Sequence, residues 1–212
     1  MSGETGLRER KKQRMYRTIS ETAISLFLER GFDQVSVADV AAAAEVSKPT
    51  LFRYFPSKED LALHRFADHE DEAARVVRDR AKGESPLDAL RRHFLAGLER
   101  HDPVTGLNDD ADVLAFHRLL YGTPSLVARL FAYISRSEEA LAKALREAAP
   151  EGTDEIAARI AAGQIIATQR ILAQETWRRI EAGATAWGVH PEAAAAAERA
   201  FGMLRSGLVP YA

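Results

Sequence analysis

The stretch from Val46 to Leu61, VSKPTLFRYFPSKEDL, concentrates cations, hydroxyl groups and aromatic rings in a short segment that Pro56 interrupts. Lysine and arginine side chains bind phosphate, and the arginine fork also pairs with a guanine edge. Threonine and tyrosine hydroxyls add hydrogen-bond donors for phosphate oxygens. The side chains concerned are Lys48, Thr50, Arg53, Tyr54 and Lys58. These are the residue types that recognition of a nucleic acid needs.

A second group of cations lies at the start of the chain, where six basic residues stand against two acidic ones. The basic residues are Arg8, Arg10, Lys11, Lys12, Arg14 and Arg17, and the acidic ones are Glu4 and Glu9. The formal net charge of the whole chain is only −2, so any attraction for anions is local. The pattern fits an anion-binding end and a solvated or disordered tail equally well.

The composition is that of a globular protein, with 46% hydrophobic and 28% charged residues among 212. Cysteine is absent, which excludes disulfides and cysteine-ligated zinc and fits a reducing compartment. Charged residues interrupt every apolar run before it reaches the roughly 20 residues of a membrane span. The basic start also lacks the apolar core of a signal peptide. We therefore expect a soluble, cytoplasmic protein without a membrane segment.

Helix signals dominate the chain and strand signals are nearly absent, so we expect an all-α fold of about nine helices. Capping serines and helix-ending residues predict four helices in the first part of the chain: one from about Thr5 or Leu7 to Arg30, then Ser36–Glu45, Ser47–Phe55 and Ser57–Lys82. Later helices are predicted to start at Ser85-Pro86, Thr123-Pro124, Gly152-Thr153 and His190-Pro191, with a loop over His101–Asp110.

The second and third predicted helices have the arrangement of a helix-turn-helix, two short helices joined by a brief turn. Val40, Val46 and Leu51 are spaced to pack together, which leaves the cations of the third helix near its outer side. The N-terminus of that helix carries a partial positive charge that favours phosphate. We therefore expect a three-helix DNA-binding domain over residues 1–56 and a larger C-terminal helical bundle over residues 57–212.

This part of the chain resembles the DNA-binding domain of the tetracycline-repressor (TetR) family over roughly the first quarter of the sequence. The residues that carry the resemblance are Ala23, Leu26, Phe27, Gly31, Phe32, Val35, Ser36, Val37, Val40, Ala41, Ala44, Val46, Ser47, Thr50, Leu51, Phe52, Tyr54, Phe55, Ser57, Lys58, Glu59 and Leu61. A pattern of many positions at matching spacing is far more specific than a lone short motif. It implies a DNA-binding transcriptional regulator.

The resemblance also implies a role for individual residues. Phosphate contacts are implied for Ser36, Thr50, Tyr54 and Lys58, and base-edge contacts for Lys48, Pro49 and Arg53. Ser47, at the start of the recognition helix, is counted among the DNA-binding residues as well. Phe55 and Leu61 are implied to be core residues that pack the recognition helix against the fourth helix.

Two residues depart from the family pattern. Glu45 stands in the turn where glycine is usual, and a non-glycine residue at positive φ costs on the order of 1 kcal/mol. Glu45 therefore either tolerates that strain or changes the turn, and it brings an acid near phosphate. Phe52 stands where tyrosine is common, which keeps the packing but loses a hydroxyl, so we assign no phosphate contact to it.

The resemblance further implies a homodimer, because one helix-turn-helix reads only a half-site of a near-palindromic operator. The implied interface is formed by the last two long helices, here about Thr153–Ala182 and Pro191–Gly207. The alanine-rich run Glu192–Phe201 suits the close approach of two helices. The protein is expected to act as a repressor on double-stranded DNA.

A ligand cavity in the larger domain is implied too, with release from DNA by a small hydrophobic or aromatic effector. The candidate lining residues are His69, Phe94, His117, Tyr121, Phe131, Gln164 and Thr168. A histidine on an apolar face is more often a satisfied core residue, and most of the aromatic residues are plain core. Gln164 and Thr168 project from an apolar arc, so they bond within the core, lie at the dimer interface or line the cavity.

A helical-bundle enzyme or a scaffold without DNA binding is the alternative class of protein. An enzyme would need a nucleophile with its base, a carboxylate pair or a metal set. His64, His69 and Glu70 come nearest to a metal cluster, but the two histidines are five residues apart, a spacing that points them along different faces of a helix. We expect no metal, no cofactor and no catalytic residue.

Overall fold

The computed structural model describes residues 2–67, 69–150 and 154–212. Over these ranges the chain is helical and without strands. The α-helices are α1 Ser2–Arg30, α2 Val37–Ala43, α3 Lys48–Tyr54, α4 Lys58–Ala67, α5 Glu72–Arg78, α6 Pro86–Glu99, α7 Ala111–Gly122, α8 Pro124–Ala148, α9 Glu155–Glu181 and α10 Ala186–Gly207. Two short 3-10 helices are Pro103–Thr105 and Val209–Tyr211. The predicted all-α fold is confirmed, with one α-helix more than expected.

The additional helix arises from a break in the predicted Ser57–Lys82 helix, which the structure divides into α4 and α5. The prediction of one continuous helix is wrong because side chains at the break bind other helices of the fold. Glu70 Oε1 lies 2.8 Å from Arg136 Nε of α8. Glu72 Oε1 lies 3.0 Å from His93 Nε2 of α6. These tertiary contacts stabilise a turn where the local sequence permits a helix.

Helix α10 begins at Ala186 rather than at Pro191. Thr185 caps the helix by accepting a hydrogen bond from the Gly188 N–H at 3.1 Å. The Asp109 carboxylate accepts another from the Ala186 N–H at 2.9 Å. Pro191 therefore lies inside α10, where its missing N–H removes one helical hydrogen bond.

Two further predictions concern connections between helices. The predicted helix start at Gly152-Thr153 lies outside the described residues; the described part of α9 follows Asp154, which accepts a hydrogen bond from the Ile156 N–H. The predicted loop over His101–Asp110 is confirmed, apart from the 3-10 helix Pro103–Thr105 within it.

The chain divides into two compact units, of which the first contains residues 1–68 and 115–132. Its core includes the buried residues Ile19, Ala23, Phe27, Val40, Leu51, Phe55 and Leu61. The Ser20 hydroxyl of α1 donates a hydrogen bond to the Leu61 carbonyl of α4 at 2.8 Å. This core and this hydrogen bond therefore fix α1 to α4, the helices that precede and follow the two short helices in the sequence.

An ion pair with a buried carboxylate joins α4 to α8 within the first unit. Arg129 Nε and Nη2 lie 2.8 and 3.0 Å from the two carboxylate oxygens of Asp60, whose side chain is 5% exposed. Asp60 also accepts a hydrogen bond from the Ser57 hydroxyl at 2.9 Å. The first turn of α4, directly after Pro56, is thus held by a local cap and by a bidentate pair.

The second compact unit contains residues 69–114 and 133–212. Its core includes Val77, Leu87, Leu90, Leu98, Leu141, Leu145, Ile165, Val189 and Phe201. Gly106, at φ 73°, lies so close to α9 that a Cβ there would be 2.0 Å from the Ala173 carbonyl oxygen. The position excludes any side chain. The domain boundary expected after residue 56 stays a prediction.

The Asp60–Arg129 pair predicts a difference between two arginines of α8. Arg129→Gln leaves a buried carboxylate without its bidentate partner, so we expect the free energy of unfolding to fall by about 3 kcal/mol. Arg136→Gln removes a more exposed pair with Glu70 and should cost less than about 1 kcal/mol. Urea denaturation of both variants measures the difference, and equal losses would contradict the role given to the buried pair.

Candidate nucleic-acid interface

Capping serines begin both short helices, as the sequence predicts. The Ser36 hydroxyl accepts a hydrogen bond from the Asp39 N–H at 3.2 Å and donates one to Asp39 Oδ2 at 2.6 Å. The hydrogen bonds from Ser36 hold the pKa of Asp39 below its ordinary value. The Ser47 hydroxyl accepts from the Thr50 N–H at 3.2 Å and donates to Thr50 Oγ1 at 2.9 Å. The DNA contacts of Ser36, Ser47 and Thr50 stay predictions beside these local roles.

Helix α3 is anchored by one side and exposed on the other. Leu51 is fully buried, whereas Lys48, Pro49, Phe52 and Arg53 are exposed. The expectation that Phe52 keeps a packing role is met only in part, because 49% of this residue is exposed. The outer side of α3 therefore presents two cations, a proline ring and a phenyl ring to solvent.

The turn between α2 and α3 places Glu45 at φ 53°. The Val46 N–H donates to the Ala41 carbonyl at 2.9 Å, and the Glu45 N–H donates to the Ala42 carbonyl at 3.2 Å. This pair of hydrogen bonds is the Schellman motif, which normally has glycine at the left-handed position. Glu45 therefore tolerates the strain rather than changing the turn, and its side chain is exposed beside the start of α3.

The C-terminal end of α3 is enclosed by aromatic rings. Tyr54 is partly buried, and the Arg53 guanidinium lies over its ring at 5.6 Å from the centroid. Tyr16 of α1 packs edge-on against Tyr54, with ring centroids 4.8 Å apart. Tyr16 also contacts Phe55 and stacks on His64 of α4. The orientation of Tyr54 is thus set by α1 as well as by α3.

Lys58 has an internal partner in the structure. Its ammonium donates a hydrogen bond to the Phe32 carbonyl and lies 4.2 Å from the centroid of the Phe32 ring and 5.6 Å from that of Phe27. The side chain is partly buried, so Lys58 fixes the start of α4 against the end of α1. A phosphate contact by Lys58 stays a prediction, and the ammonium keeps two N–H donors besides the one that binds the Phe32 carbonyl.

Three of the ligand candidates lie in the first compact unit. His117 is 9% exposed, and its ring lies 6.4 Å from that of Phe116 and 6.2 Å from that of Tyr121. Tyr121 is partly buried. Phe131 is 56% exposed. The buried His117 and the partly buried Tyr121 therefore fit an enclosed position better than the exposed Phe131 does.

The other ligand candidates lie in the second compact unit and differ in burial. Phe94 is a core residue whose ring lies 6.2 Å from that of Phe201. Thr168 is partly buried and Gln164 is exposed. His69 lies in the turn before α5, and its Nδ1 is 2.6 Å from Glu72 Oε2. None of these contacts by itself defines a binding site, and the ligand assignments stay predictions.

Glu72 is the centre of a small polar cluster with His69 and His93. Hydrogen bonds from these two imidazoles hold the pKa of the Glu72 carboxyl far below its ordinary value, against the opposing effect of burial. The carboxylate therefore stays ionised while it ties the turn after α4 to α6. His69, a ligand candidate from sequence, thus has a structural partner.

The described ranges 2–67, 69–150 and 154–212 contain neither a group of metal-ligating side chains nor a membrane-spanning helix. No three histidine, aspartate or glutamate side chains there are grouped so as to hold a metal ion. No helix in those ranges is long and apolar enough to cross a membrane.

Known proteins similar to this chain are transcriptional regulators. The family described as bacterial regulatory proteins, tetR family, matches residues 19–64. The HTH-type transcriptional regulator TcmR of Streptomyces glaucescens is 33% identical over 195 residues, which cover 89% of this chain and 84% of TcmR. The HTH-type transcriptional repressor LfrR of Mycolicibacterium smegmatis is 30% identical over 151 residues, 70% of either chain.

Solved structures share the fold at lower identity. FadR of Bacillus subtilis, in complex with stearoyl-CoA, has a TM-score of 0.54 at 19% identity, covering 91% of this chain and 98% of FadR. GusR of Salmonella enterica has a TM-score of 0.54 at 19% identity, covering 92% and 95%.

The capped helices, the exposed side of α3 and these relatives together define a helix-turn-helix transcriptional regulator. The chain belongs to the tetR family of bacterial regulatory proteins. The resemblance carried by the residues from Ala23 to Leu61 is confirmed, and the relatives place the chain among regulators rather than enzymes.

The sequence analysis did not identify two residues that stabilise the helices of the first unit, Tyr16 and Arg129. Tyr16 continues the apolar spacing of Ile19, Ala23 and Phe27 along one face of α1, so its contact with the other helices was open to inference from periodicity. Arg129 has no such signal, because its partner Asp60 is 69 residues away in the chain.

The strain at Glu45 gives a prediction with an internal control. Glu45→Gly removes the strain of a non-glycine residue in the left-handed conformation and should raise the free energy of unfolding by about 1 kcal/mol. We also expect tighter DNA binding, because an acid is removed beside phosphate. His101→Gly relieves a similar φ of 51° in the second unit and should raise stability without changing DNA affinity. A Glu45→Gly variant less stable than the natural chain would contradict the assignment of strain.

Proposed function

We propose that this protein is a transcriptional repressor that acts in the cytoplasm and binds a near-palindromic DNA operator as a homodimer. We further propose that a small hydrophobic or aromatic effector releases it from DNA. The observation that carries the proposal is the exposed side of α3, where Lys48, Pro49, Phe52 and Arg53 face solvent while Leu51 is buried. The name of LfrR, a repressor, supports the direction of regulation.

The exposed residues of α3 divide by chemistry into base-reading and phosphate-binding groups. The Arg53 guanidinium suits a bidentate contact with guanine, and Lys48 suits a nearby base edge or phosphate. Phe52 offers an apolar surface to a thymine methyl group. The hydroxyls of Thr50 and Tyr54, with the helix-start serines Ser36 and Ser47, suit phosphate oxygens.

The homodimer is supported by an apolar stripe on α9. Ile156, Ile160 and Ile171 are each more than half exposed and recur at helical spacing on one face. Gln164 is exposed on the same face. A surface of three exposed isoleucines on one helix is unfavourable in water unless another surface covers it. A second copy of this chain is the occupant that a palindromic operator requires, and this favours an interface role for Gln164 over a cavity role.

The effector proposal is supported by the surroundings of His117 and by a protein that shares the fold. His117 is a buried polar side chain among aromatic rings, which is the type of position that orients a ligand in an apolar pocket. FadR, which shares the fold, is described in complex with stearoyl-CoA, so the fold accommodates a ligand with a long apolar acyl chain in that protein. A thermal-shift screen of lipophilic compounds tests the proposal, because a bound effector raises the unfolding temperature.

Selection of bound fragments from genomic DNA, followed by sequencing, tests the operator proposal. We expect one inverted repeat shared by the enriched fragments, and salt-sensitive binding to it because neutralised phosphates release counterions. Enrichment of fragments without any common repeat would contradict the proposal.

The division of α3 residues predicts two kinds of variant. Arg53→Ala should cost about 1–3 kcal/mol of discrimination at one base pair of each half-site and relax the preference there. Tyr54→Phe should weaken binding to all sequences to a similar extent, because only a phosphate contact is lost. Selection from random DNA with each variant measures both effects, with Arg100→Ala, an exposed arginine at the end of α6, as the control. An unchanged preference in Arg53→Ala would refute the docking of α3.

The apolar stripe predicts the effect of a charge in the interface. Ile160→Glu places a carboxylate in the proposed contact and should convert the dimer to monomers at micromolar concentration. Val104→Glu makes the same kind of change at an exposed apolar residue of a 3-10 helix and should leave the dimer intact. Light scattering measures the mass of each, and a monomeric natural chain would contradict the dimer.

A further inference from the structure

Helix α1 extends well beyond the core that it joins. Ile19 is fully buried, whereas the preceding described side chains from residue 10 onward are exposed or only partly buried. About 14 Å of helix separates Arg10 from Ile19 at 1.5 Å per residue. The cations in this stretch are Arg10, Lys11, Lys12, Arg14 and Arg17, with no acidic residue between them. The segment 10–17 is therefore a positively charged helical surface.

Tyr16 attaches this surface to the recognition helix. Its ring meets the Tyr54 ring edge-on at 4.8 Å and 84°, and the Phe55 ring at 5.3 Å and 81°. On its face it stacks with His64 at 5.1 Å and 21°. Rings from α3, α4 and the residue that links them thus hold one turn of α1. The position of the charged segment relative to the end of α3 is consequently fixed by packing.

A series of contacts between cations and aromatic rings connects α1 to α3. The Lys12 ammonium lies over the Tyr16 ring at 5.9 Å, Tyr16 contacts Tyr54, and the Arg53 guanidinium lies over the Tyr54 ring at 5.6 Å. Lys12 and Tyr16 are four residues apart and therefore share a face of α1. One cation of α1 and one cation of α3 are thus connected through the two contacting tyrosine rings.

We propose that Lys12 binds a DNA phosphate next to the one held by Tyr54, and that Tyr16 is a positioning residue for both. The inference rests on the proposed function of α3. It assigns the basic segment of α1 to the DNA backbone rather than to a solvated arm, because its charge continues the charged surface of α3 through direct ring contacts. Phosphate is the partner because the Lys12 ammonium is a compact point charge carried by α1, outside the recognition helix α3 to which base readout is assigned.

The salt dependence of operator binding tests the role of Lys12. Lys12→Gln should make the slope of log affinity against log salt less negative by about 0.9 for each protomer, because one phosphate contact is lost. The base preference should not change. Lys82→Gln removes the same charge from an exposed lysine of the second unit and should leave the slope unaltered. Equal slopes for Lys12→Gln and Lys82→Gln would overturn the inference.

The role of Tyr16 is tested by a conservative and a disruptive change. Tyr16→Phe keeps the ring contacts and should bind the operator as the natural chain does. Tyr16→Leu removes the ring and should weaken binding to all sequences, and adding Lys12→Gln should then have little further effect, since the two positions act together. Purely additive effects would overturn the positioning role. If Tyr16→Leu is not folded by circular dichroism, Lys12→Gln still tests the phosphate contact, and weakened binding by Tyr16→Phe would overturn the ring-based role of Tyr16.

The outcomes separate this inference from the proposed function. A natural chain that selects no DNA at any salt concentration would refute operator binding itself. A natural chain that binds its operator, with Lys12→Gln indistinguishable from the control, would refute only the contact from α1.

Discussion

The interface depends on the packing of a helix that is too short to be stable by itself. Helix α3 has seven residues, about two turns, and isolated helices shorter than roughly 12 residues are marginal in water. Its stability therefore comes from outside: Leu51 in the core, the Ser47 cap at one end and the Tyr16 and Phe55 rings at the other. Because these contacts use the two ends and the Leu51 side of the helix, the side with Phe52 and Arg53 stays exposed.

The connections on either side of α3 follow from the same constraint. The chain must reverse sharply before the helix, and it does so with Glu45 in a strained left-handed conformation. After the helix, Pro56 ends it and the Ser57 cap starts α4. The buried Asp60–Arg129 pair then holds that first turn. Rigid connections at both ends convert a marginal helix into one with a defined orientation, which base readout needs.

Much of this unit could be predicted from sequence because its signals are local. Serine caps, an apolar spacing of three and four residues, and a proline after the helix define α2 and α3 within a few residues. The Glu45 strain was also open to prediction, since the turn demands a left-handed residue whatever its type. The division of α4 from α5 could not be predicted from sequence, because it depends on contacts between residues far apart in the chain. Glu70 contacts α8 and Glu72 contacts α6.

Lys58 shows the limit of inference from residue type. Its phosphate contact stays a prediction, and its ammonium also binds the Phe32 carbonyl, a partner that only the folded chain brings near. The ligand candidates have the same limit. The spacing of apolar residues in the sequence indicates their apolar surroundings. The exposure of Phe131 and Gln164, however, depends on which helices pack over them in the folded chain.

The absence of cysteine allows a direct test of the central claim, that α3 reads each half of an inverted repeat. Glu45→Cys introduces a single thiol at an exposed position directly before α3, to which an iron chelate that cleaves nearby DNA can be attached. On the selected operator we expect two clusters of strand cleavage, related by the symmetry of the repeat and placed within its half-sites. Cleavage outside the half-sites, or uniform cleavage along the fragment, would contradict the account.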